Sequence, residues 1–303
     1  MVNELKTTGI AMKRGFQLLR KKEPLILSSS TAFFATFSLS PIIIILVHIF
    51  SLYFKSERIN HQLFRTIGTT FGTETAREIE SIVNNFRAIE SNWWITFAGF
   101  VFFLFIATTL LGVVKQAIQK VWHIRSKPTL RLKYHSRERG TQLFFIVFTG
   151  ALILFSVFID TRLGISLDFL QVSWPDIIIQ TIRFLNVLFG LIMASLWFTV
   201  LFKIIPEASM EWDTAFTGGL LTGTLFIIGK FILGKILVHA RIATIFGASA
   251  SIAGLLLFIF YCSFILYYGA AVTHEYGEMA DNHICAGKYA DEYEERIIGA
   301  ERE

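Results

Sequence analysis

Six long stretches of this chain, residues 24–54, 91–114, 140–159, 184–202, 214–229 and 242–274, contain no Asp, Glu, Lys or Arg. Carrying a charge into hydrocarbon is costly, so such runs mark membrane spans, which need about 17 to 25 residues each. Five of the six are long enough as they stand. The run that starts at residue 214 spans only if it continues past Lys230 to residue 238, with Lys230 and Lys235 facing protein, water or headgroups. The expected fold class is all-α, a polytopic membrane helix bundle of six transmembrane helices accompanied by interfacial amphipathic helices. The spans fall at about 25–52, 93–120, 140–160, 178–203, 214–238 and 248–273. Long continuous apolar runs favour helices over a β-barrel, whose strands are about ten residues long and alternate. The first run is too long for the apolar core of a signal peptide.

Composition points the same way. The chain is 53% hydrophobic and 17% charged, with a mean hydropathy of +0.57. A soluble domain carries about 25% charged residues, so too little polar surface is present to keep this one wet. The same figures exclude a disordered chain, a collagen-like fibre and a disulfide-rich secreted scaffold.

The charges set an orientation. Lys6, Lys13, Arg14, Arg20, Lys21 and Lys22 precede the first span, and Arg125, Lys127, Arg131, Lys133, Arg137 and Arg139 follow the second. Residues 160–177 hold only Arg162 against three acids. By the positive-inside bias both termini are expected in the cytoplasm. Residues 1–24 form a cytoplasmic interfacial segment, with Leu5, Met12, Phe16 and Leu19 at roughly helical spacing among basic residues. Residues 53–92 form an external segment in which Ile79, Ile82, Val83 and Phe86 mark an amphipathic helix. Trp93, Trp94 and Trp174 fall at outer boundaries, where aromatic belts sit. Residues 275–303 are expected to be a solvated, acidic cytoplasmic tail. With nine acids and three bases the tail has a net charge of −6, so the chain's +5 becomes +11 for the remainder. The basic balance is thus mostly a topology signal and an attraction to anionic lipid.

Candidate site residues come from charges inside spans. Arg183 lies about 10 Å along its helix from Asp176, and Lys230 about 25 Å from Asp213. Both fall in the expected outer half of the membrane, at a depth similar to Asp160. Intramembrane ionisable groups are functional candidates, so Arg183, Lys230, Asp160 and Asp176 are candidate ligands of an anionic headgroup in an outward-facing cavity. Outward snorkelling, or pairing of Arg183 and Lys230 with Asp160 and Asp176, is the alternative. Ser40 and Pro41 mark a broken or kinked first span. Gly219 and Gly223, with Ala215, form one small-residue stripe, and Gly247 and Gly254 belong to others in the last span. Such stripes serve static packing or a sliding surface.

No residue pattern points to an enzyme. The seven His residues share no metal-ligand spacing, and His274-Glu275 does not continue into HExxH. Cys262 and Cys285 are isolated, and no nucleophile elbow, P-loop or dinucleotide fingerprint occurs. No cofactor or metal is expected.

The order of features resembles the YihY/BrkB family of bacterial inner-membrane proteins over roughly residues 10–280. The resemblance rests on the aromatic run Ala32–Phe37 leading to Ser38-Leu39-Ser40-Pro41, and on Val121-Trp122-His123-Ile124-Arg125 before the basic loop. It rests further on Pro206 with Trp212-Asp213-Thr214-Ala215 and Gly218-Gly219, and on Phe246-Gly247-Ala248-Ser249-Ala250-Ser251. Tyr268-Gly269-Ala270 closes the last span. Ala271 stands where many relatives carry an acid, with Glu275 one turn on, and Phe258 where Trp is usual. The resemblance implies six spans in the inner membrane. Family members have been labelled tRNA-processing ribonucleases, linked to virulence and serum resistance, or linked to export of lipopolysaccharide precursor. Hydrolysing RNA calls for a metal cluster or a positioned acid–base pair, and the residues offer neither. The expected function is therefore transporter-like, for an anionic lipid or cell-envelope precursor, with a non-transporting envelope scaffold as the alternative. Expected partners are membrane lipids, anionic ones included, and envelope proteins; nucleic acid is not expected.

Overall fold

The structure, a computed structural model, describes residues 2–53, 77, 80, 81, 93–127, 132–170, 176–239 and 250–294. These fold into seven helices and four short strands. The helices are α1 (Val2–Lys21), α2 (Pro24–Tyr53), α3 (Trp93–Val121), α4 (Leu132–Leu170), α5 (Asp176–Ile204), α6 (Trp212–His239) and α7 (Ala250–Met279). The strands are β1 (Ile124–Ser126), β2 (Ala208–Ser209), β3 (Cys285–Ala286) and β4 (Ala290–Glu292). Helices α2 to α7 occupy the six positions marked by the charge-free runs. Among the described residues, three stretches are long and apolar enough to cross a membrane: Gln180–Ile204 in α5, Trp212–Gly234 in α6 and Ala253–Met279 in α7.

Helix α7 is the axis of the bundle, packing against α1, α2, α3 and α6, while α5 lies along α6. The core is concentrated where α3, α5 and α7 end. Trp122, Tyr267 and Phe202 are fully buried there with Ile118, Leu201 and Ala270. Two polar tips are satisfied inside it. Trp122 Nε1 donates to the Ala270 carbonyl at 2.8 Å, and the Tyr267 and Thr31 hydroxyls are hydrogen-bonded to each other. The outside of the bundle is the reverse of a soluble protein's. Phe33 and Phe37 of α2, Phe102 and Phe105 of α3, Phe184 of α5 and Phe231 of α6 are all more than half exposed. Such a spread of large exposed apolar side chains requires a non-aqueous surrounding.

Helix α1 docks differently from its sequence pattern. Its buried face is Ala11, Gly15 and Leu19, spaced four apart. A Cβ on Gly15 would lie 2.8 Å from Val272 Cγ2, so α1 meets α7 at a small residue. Tyr268 Oη donates to the Met12 carbonyl at 3.0 Å, and Phe16, placed on the apolar stripe by spacing, is exposed beside the Tyr268 ring.

The third expected span does not take up the whole of its helix, because α4 continues past Asp160 to Leu170. Asp160-Thr161-Arg162 adds charge but no helix breaker, and Pro175 is the first proline after it. At 1.5 Å per residue this helix is about 58 Å long, well beyond a hydrocarbon core of about 30 Å. The tail is not simply solvated either. Helix α7 runs on to Met279 and closes with Asn282 N donating to the Gly277 carbonyl at 3.0 Å around Asp281, which takes φ 59°. The chain then returns under the bundle. β3 pairs antiparallel with β2 (Ala208 opposite Ala286), and β4 with β1 (Ser126 opposite Ala290). Ile284 and Ala290 are buried by this return. Residues 295–303 of the tail lie outside the described residues. So does most of the external segment, of which Arg77, Glu80 and Ser81 are described and helical. The four strands mark one end of the bundle, the strand end.

Replacing Ile284 by Asp puts a carboxylate where the tail is buried. The expected cost is about 2–4 kcal/mol, from lost apolar contact and an unpaired polar group. A thermal melt of the detergent-solubilised chain should fall clearly below wild type; an unchanged melt would mean the tail does not brace the bundle.

Candidate functional site

The structure assembles a charged pocket at the strand end from four separate parts of the chain. Lys115 and Gln119 lie one turn apart near the end of α3. Arg137, Glu138, Thr141 and Gln142 come from the first turns of α4. Lys203 is in the last turn of α5, which stops at Ile204 because Pro206 disfavours helix in the residue before it. Glu207 follows that proline. Lys288 and Tyr289 come from the turn between β3 and β4, closed by Ala290 N donating to the Gly287 carbonyl at 3.0 Å. Gly287 is required at this point: a Cβ there would sit 2.9 Å from the Glu207 carbonyl oxygen. All of these except Gln119 and Ala290 line a cavity of about 210 Å³.

Lys115 is the buried centre, its side chain 6% exposed. Its Nζ donates to Glu138 Oε1 at 2.6 Å and lies 3.3 Å from Glu207 Oε1. Glu207 is in turn fixed by Ser126 of β1, whose Oγ donates to Oε2 at 2.9 Å, and its backbone carbonyl accepts from Gly287 N at 2.9 Å. One glutamate thus joins α3, β1, β2 and the tail. Beside the pocket, Arg139 Nη1 donates to Thr108 Oγ1 of α3 at 2.7 Å.

The other cations are placed differently. Lys203 donates to the Met210 carbonyl and lies 5.3 Å from the Trp212 ring centre. Arg137 and Lys288 stand 5.7 and 5.9 Å from the Tyr289 ring centre. Among the described residues no carboxylate lies within salt-bridge distance of these three. Gln142 is buried, and its Oε1 has no hydrogen-bond partner. At the rim of the same end, His283 bonds Glu278 Oε2 at 3.1 Å. That hydrogen bond, and the carboxylate's charge, raise the imidazole pKa above its ordinary value.

The residues picked from sequence are not in this pocket. Lys230 is exposed on α6 among exposed Ile228, Phe231 and Ile232, the placement of a snorkelling lysine. Arg183 and Asp176 lie on α5 and Asp160 on α4, with side chains outside the described residues. Helix α2 is unbroken from Pro24 to Tyr53 and passes through Ser40 and Pro41 as helix. Gly219 and Gly223 sit at the α5–α6 contact. Added Cβ atoms would meet Thr199 Oγ1 at 2.1 Å and Ser195 Oγ at 2.6 Å. Gly254 is buried in α7, and Gly247 lies outside the described residues. The sequence did carry one signal of the pocket: Glu138 is the single acid in the basic segment 123–139.

The sequence model of the virulence factor BrkB family matches residues 16–292. The chain belongs to this family. Among curated proteins it is similar to a UPF0761 membrane protein of Saccharophagus degradans, 21% identical over 87% of this chain and 58% of that protein. A UPF0761 membrane protein of Pseudomonas paraeruginosa is 25% identical over 72% of this chain and 49% of its own. One from Stenotrophomonas maltophilia is 22% identical over 81% of this chain and 56% of its own. The chain therefore spans about half the length of the curated relatives it matches. No solved structure matches it.

Lys115→Met removes the cation between two carboxylates. Breaking a buried pair costs about 3–5 kcal/mol, and here less, about 2–3, because both glutamates are partly exposed. Adding Glu138→Gln to Lys115→Met should recover part of the loss. Melting temperatures of the three proteins check this, and simple additivity of the two changes would deny the coupling.

Proposed function

We propose that this BrkB-family chain is a six-span inner-membrane protein, both termini cytoplasmic, that moves or positions an anionic lipid or cell-envelope precursor without being an enzyme. The observation carrying the reading is the net-positive pocket at one end of an otherwise apolar bundle. Buried charge at the end of a membrane helix is costly and is kept where it handles an ion or a headgroup. The positive-inside bias assigns the strand end to the cytoplasm, since the basic segments before α2 and after α3 both belong there. Helices α2, α3 and α4 complete the six spans in this reading. Their exposed Phe33, Phe105 and Phe144 suit contact with acyl chains. In this topology the pocket opens to the inner leaflet, where anionic headgroups attract basic residues at about 1 kcal/mol each.

One observation favours a non-transporting scaffold that recruits envelope partners. The α5–α6 contact has no slack at Gly219 and Gly223, so these helices do not slide past each other there without separating. The two readings differ in whether lipid crosses the bilayer.

Proteoliposomes containing fluorescent phosphatidylglycerol separate them. Wild-type chain should speed its transbilayer movement well above protein-free vesicles. Arg137→Glu with Lys203→Glu should slow it by about tenfold, the scale of one lost charge-assisted contact. Folded chain that leaves the rate unchanged would replace transport by the scaffold.

The orientation has its own check. Cys285 is exposed in the tail and Cys262 lies within α7. A membrane-impermeant maleimide should label Cys285 in inverted inner-membrane vesicles and not in intact spheroplasts. The opposite pattern would reverse the topology.

A further inference from the structure

We propose that the strand-end pocket binds a phosphate group, as a phosphomonoester or phosphate-bearing headgroup. The inference deepens the anionic-lipid reading and rests on it for the source of the ligand. Charge is the first argument. The pocket holds Lys115, Arg137, Lys203 and Lys288 against Glu138 and Glu207, a balance of +2. Both carboxylates are spent on Lys115. Arg137 of α4 and Lys288 of the tail turn, both exposed, border the cavity with no carboxylate within 4 Å among the described residues, while Lys203 of α5 lines it with its ammonium held by the Met210 carbonyl. Water screens part of their mutual repulsion, and an anion in the space removes more of it. A phosphomonoester carries about −1.5 to −2 at neutral pH, which matches the surplus.

Shape is the second argument. A carboxylate presents two oxygens in one plane and suits one bidentate arginine. Here the Arg137 guanidinium and the Lys288 ammonium border the space from two elements with Lys203 on its wall, an arrangement that suits the tetrahedral oxygens of phosphate. Volume is the third. The cavity of about 210 Å³ lies below the range of about 300–1,000 Å³ typical of drug-sized ligand sites, which suits a small group such as a phosphate with its ester neighbour. The fourth is Gln142, nine-tenths buried with an unpartnered amide oxygen on the pocket wall. Rotating that amide by half a turn offers N–H donors to an anion. Thr141, one residue before, lines the same wall with its hydroxyl donating to the Arg137 carbonyl at 3.1 Å.

The test uses the full chain in phosphatidylcholine nanodiscs, titrated with inorganic phosphate against chloride at equal ionic strength, and reads thermal stability. Phosphate should raise the melting temperature of wild type. Arg137→Gln and Lys288→Gln should each weaken the apparent affinity by about tenfold, as expected for one charge-assisted contact. Lys288→Arg should keep binding. Lys120→Gln, which removes a cation at the same end but outside the pocket, should leave binding unchanged. A second set of nanodiscs contains phosphatidic acid. Weaker phosphate binding there, with phosphatidic acid retained through purification, identifies a lipid headgroup as the occupant. Equal binding in both identifies a soluble phosphate. Phosphate acting no better than chloride, or a loss as large in Lys120→Gln, would overturn the proposal. Binding is read here and transfer in the proteoliposomes, so either reading can fail alone.

Discussion

An ammonium at the end of an apolar helix must be matched by anions brought from elsewhere in the chain, and much of this structure follows from matching Lys115. Its partners Glu138 and Glu207 belong to the next helix and to the turn after α5. Holding Glu207 in place needs Ser126 from the turn after α3 and Gly287 from the tail. The short strands are a consequence. Two or three residues of β-pairing would not be stable alone, but here each pair lies against a helix end already fixed by a buried charge. The three left-handed residues Glu23, His123 and Asp281 each come two positions after a helix, turning the chain into this end of the bundle.

Elsewhere the bundle is held by contact rather than by water exclusion. Between helices in lipid the hydrophobic effect gives little, so close approach and satisfied polar groups decide. Gly218 and Gly269 each leave room for a threonine of the facing helix: Thr273 against Gly218, Thr222 against Gly269. The same threonines donate to carbonyls four residues back in their own helices, at 2.7 and 2.6 Å. A hydroxyl satisfied within its own helix can be buried in the seam without needing a partner across it. The α6–α7 contact is therefore reciprocal, each helix offering a glycine and a threonine.

Much of this was legible in the sequence, for a local reason. Desolvation of charge acts residue by residue, so the spans drawn from the charge-free runs lie within a few residues of α2 to α7 at most ends. The ends of α4 lie beyond the expected span because a charge bounds an apolar run without stopping a helix, and α4 runs on past both Arg139 and Asp160. Gly219 and Gly223 were legible as packing residues in kind, since a small-residue stripe is also local. The pocket was not. Arg137 read as a topology signal and Lys288 as one charge of a solvated tail, because their meeting with Lys115 and Lys203 depends on the tail's return. Nothing local in Cys285–Glu292 predicts pairing with residues 124–126 and 208–209.

The tail also resolves an apparent contradiction. It is the most acidic part of the chain, yet it lines a pocket whose charge is positive. The described structure sorts its charges by direction. Asp291 meets Lys127 at 2.9 Å, and Glu292 accepts from Ala286 N at 2.9 Å, so both are engaged outside the cavity. Lys288, set by the tight turn at Gly287, is the tail's charged contribution to the cavity wall. Antiparallel pairing of β4 with β1 fixes this arrangement, because register decides which side of the strand each residue faces. A slip of one residue would turn Asp291 and Glu292 to opposite sides. The acid-rich sequence can therefore border an anion-accepting pocket only while the β1–β4 register holds, which makes the backbone pairing of the tail a condition of the pocket's electrostatics as well as of its shape.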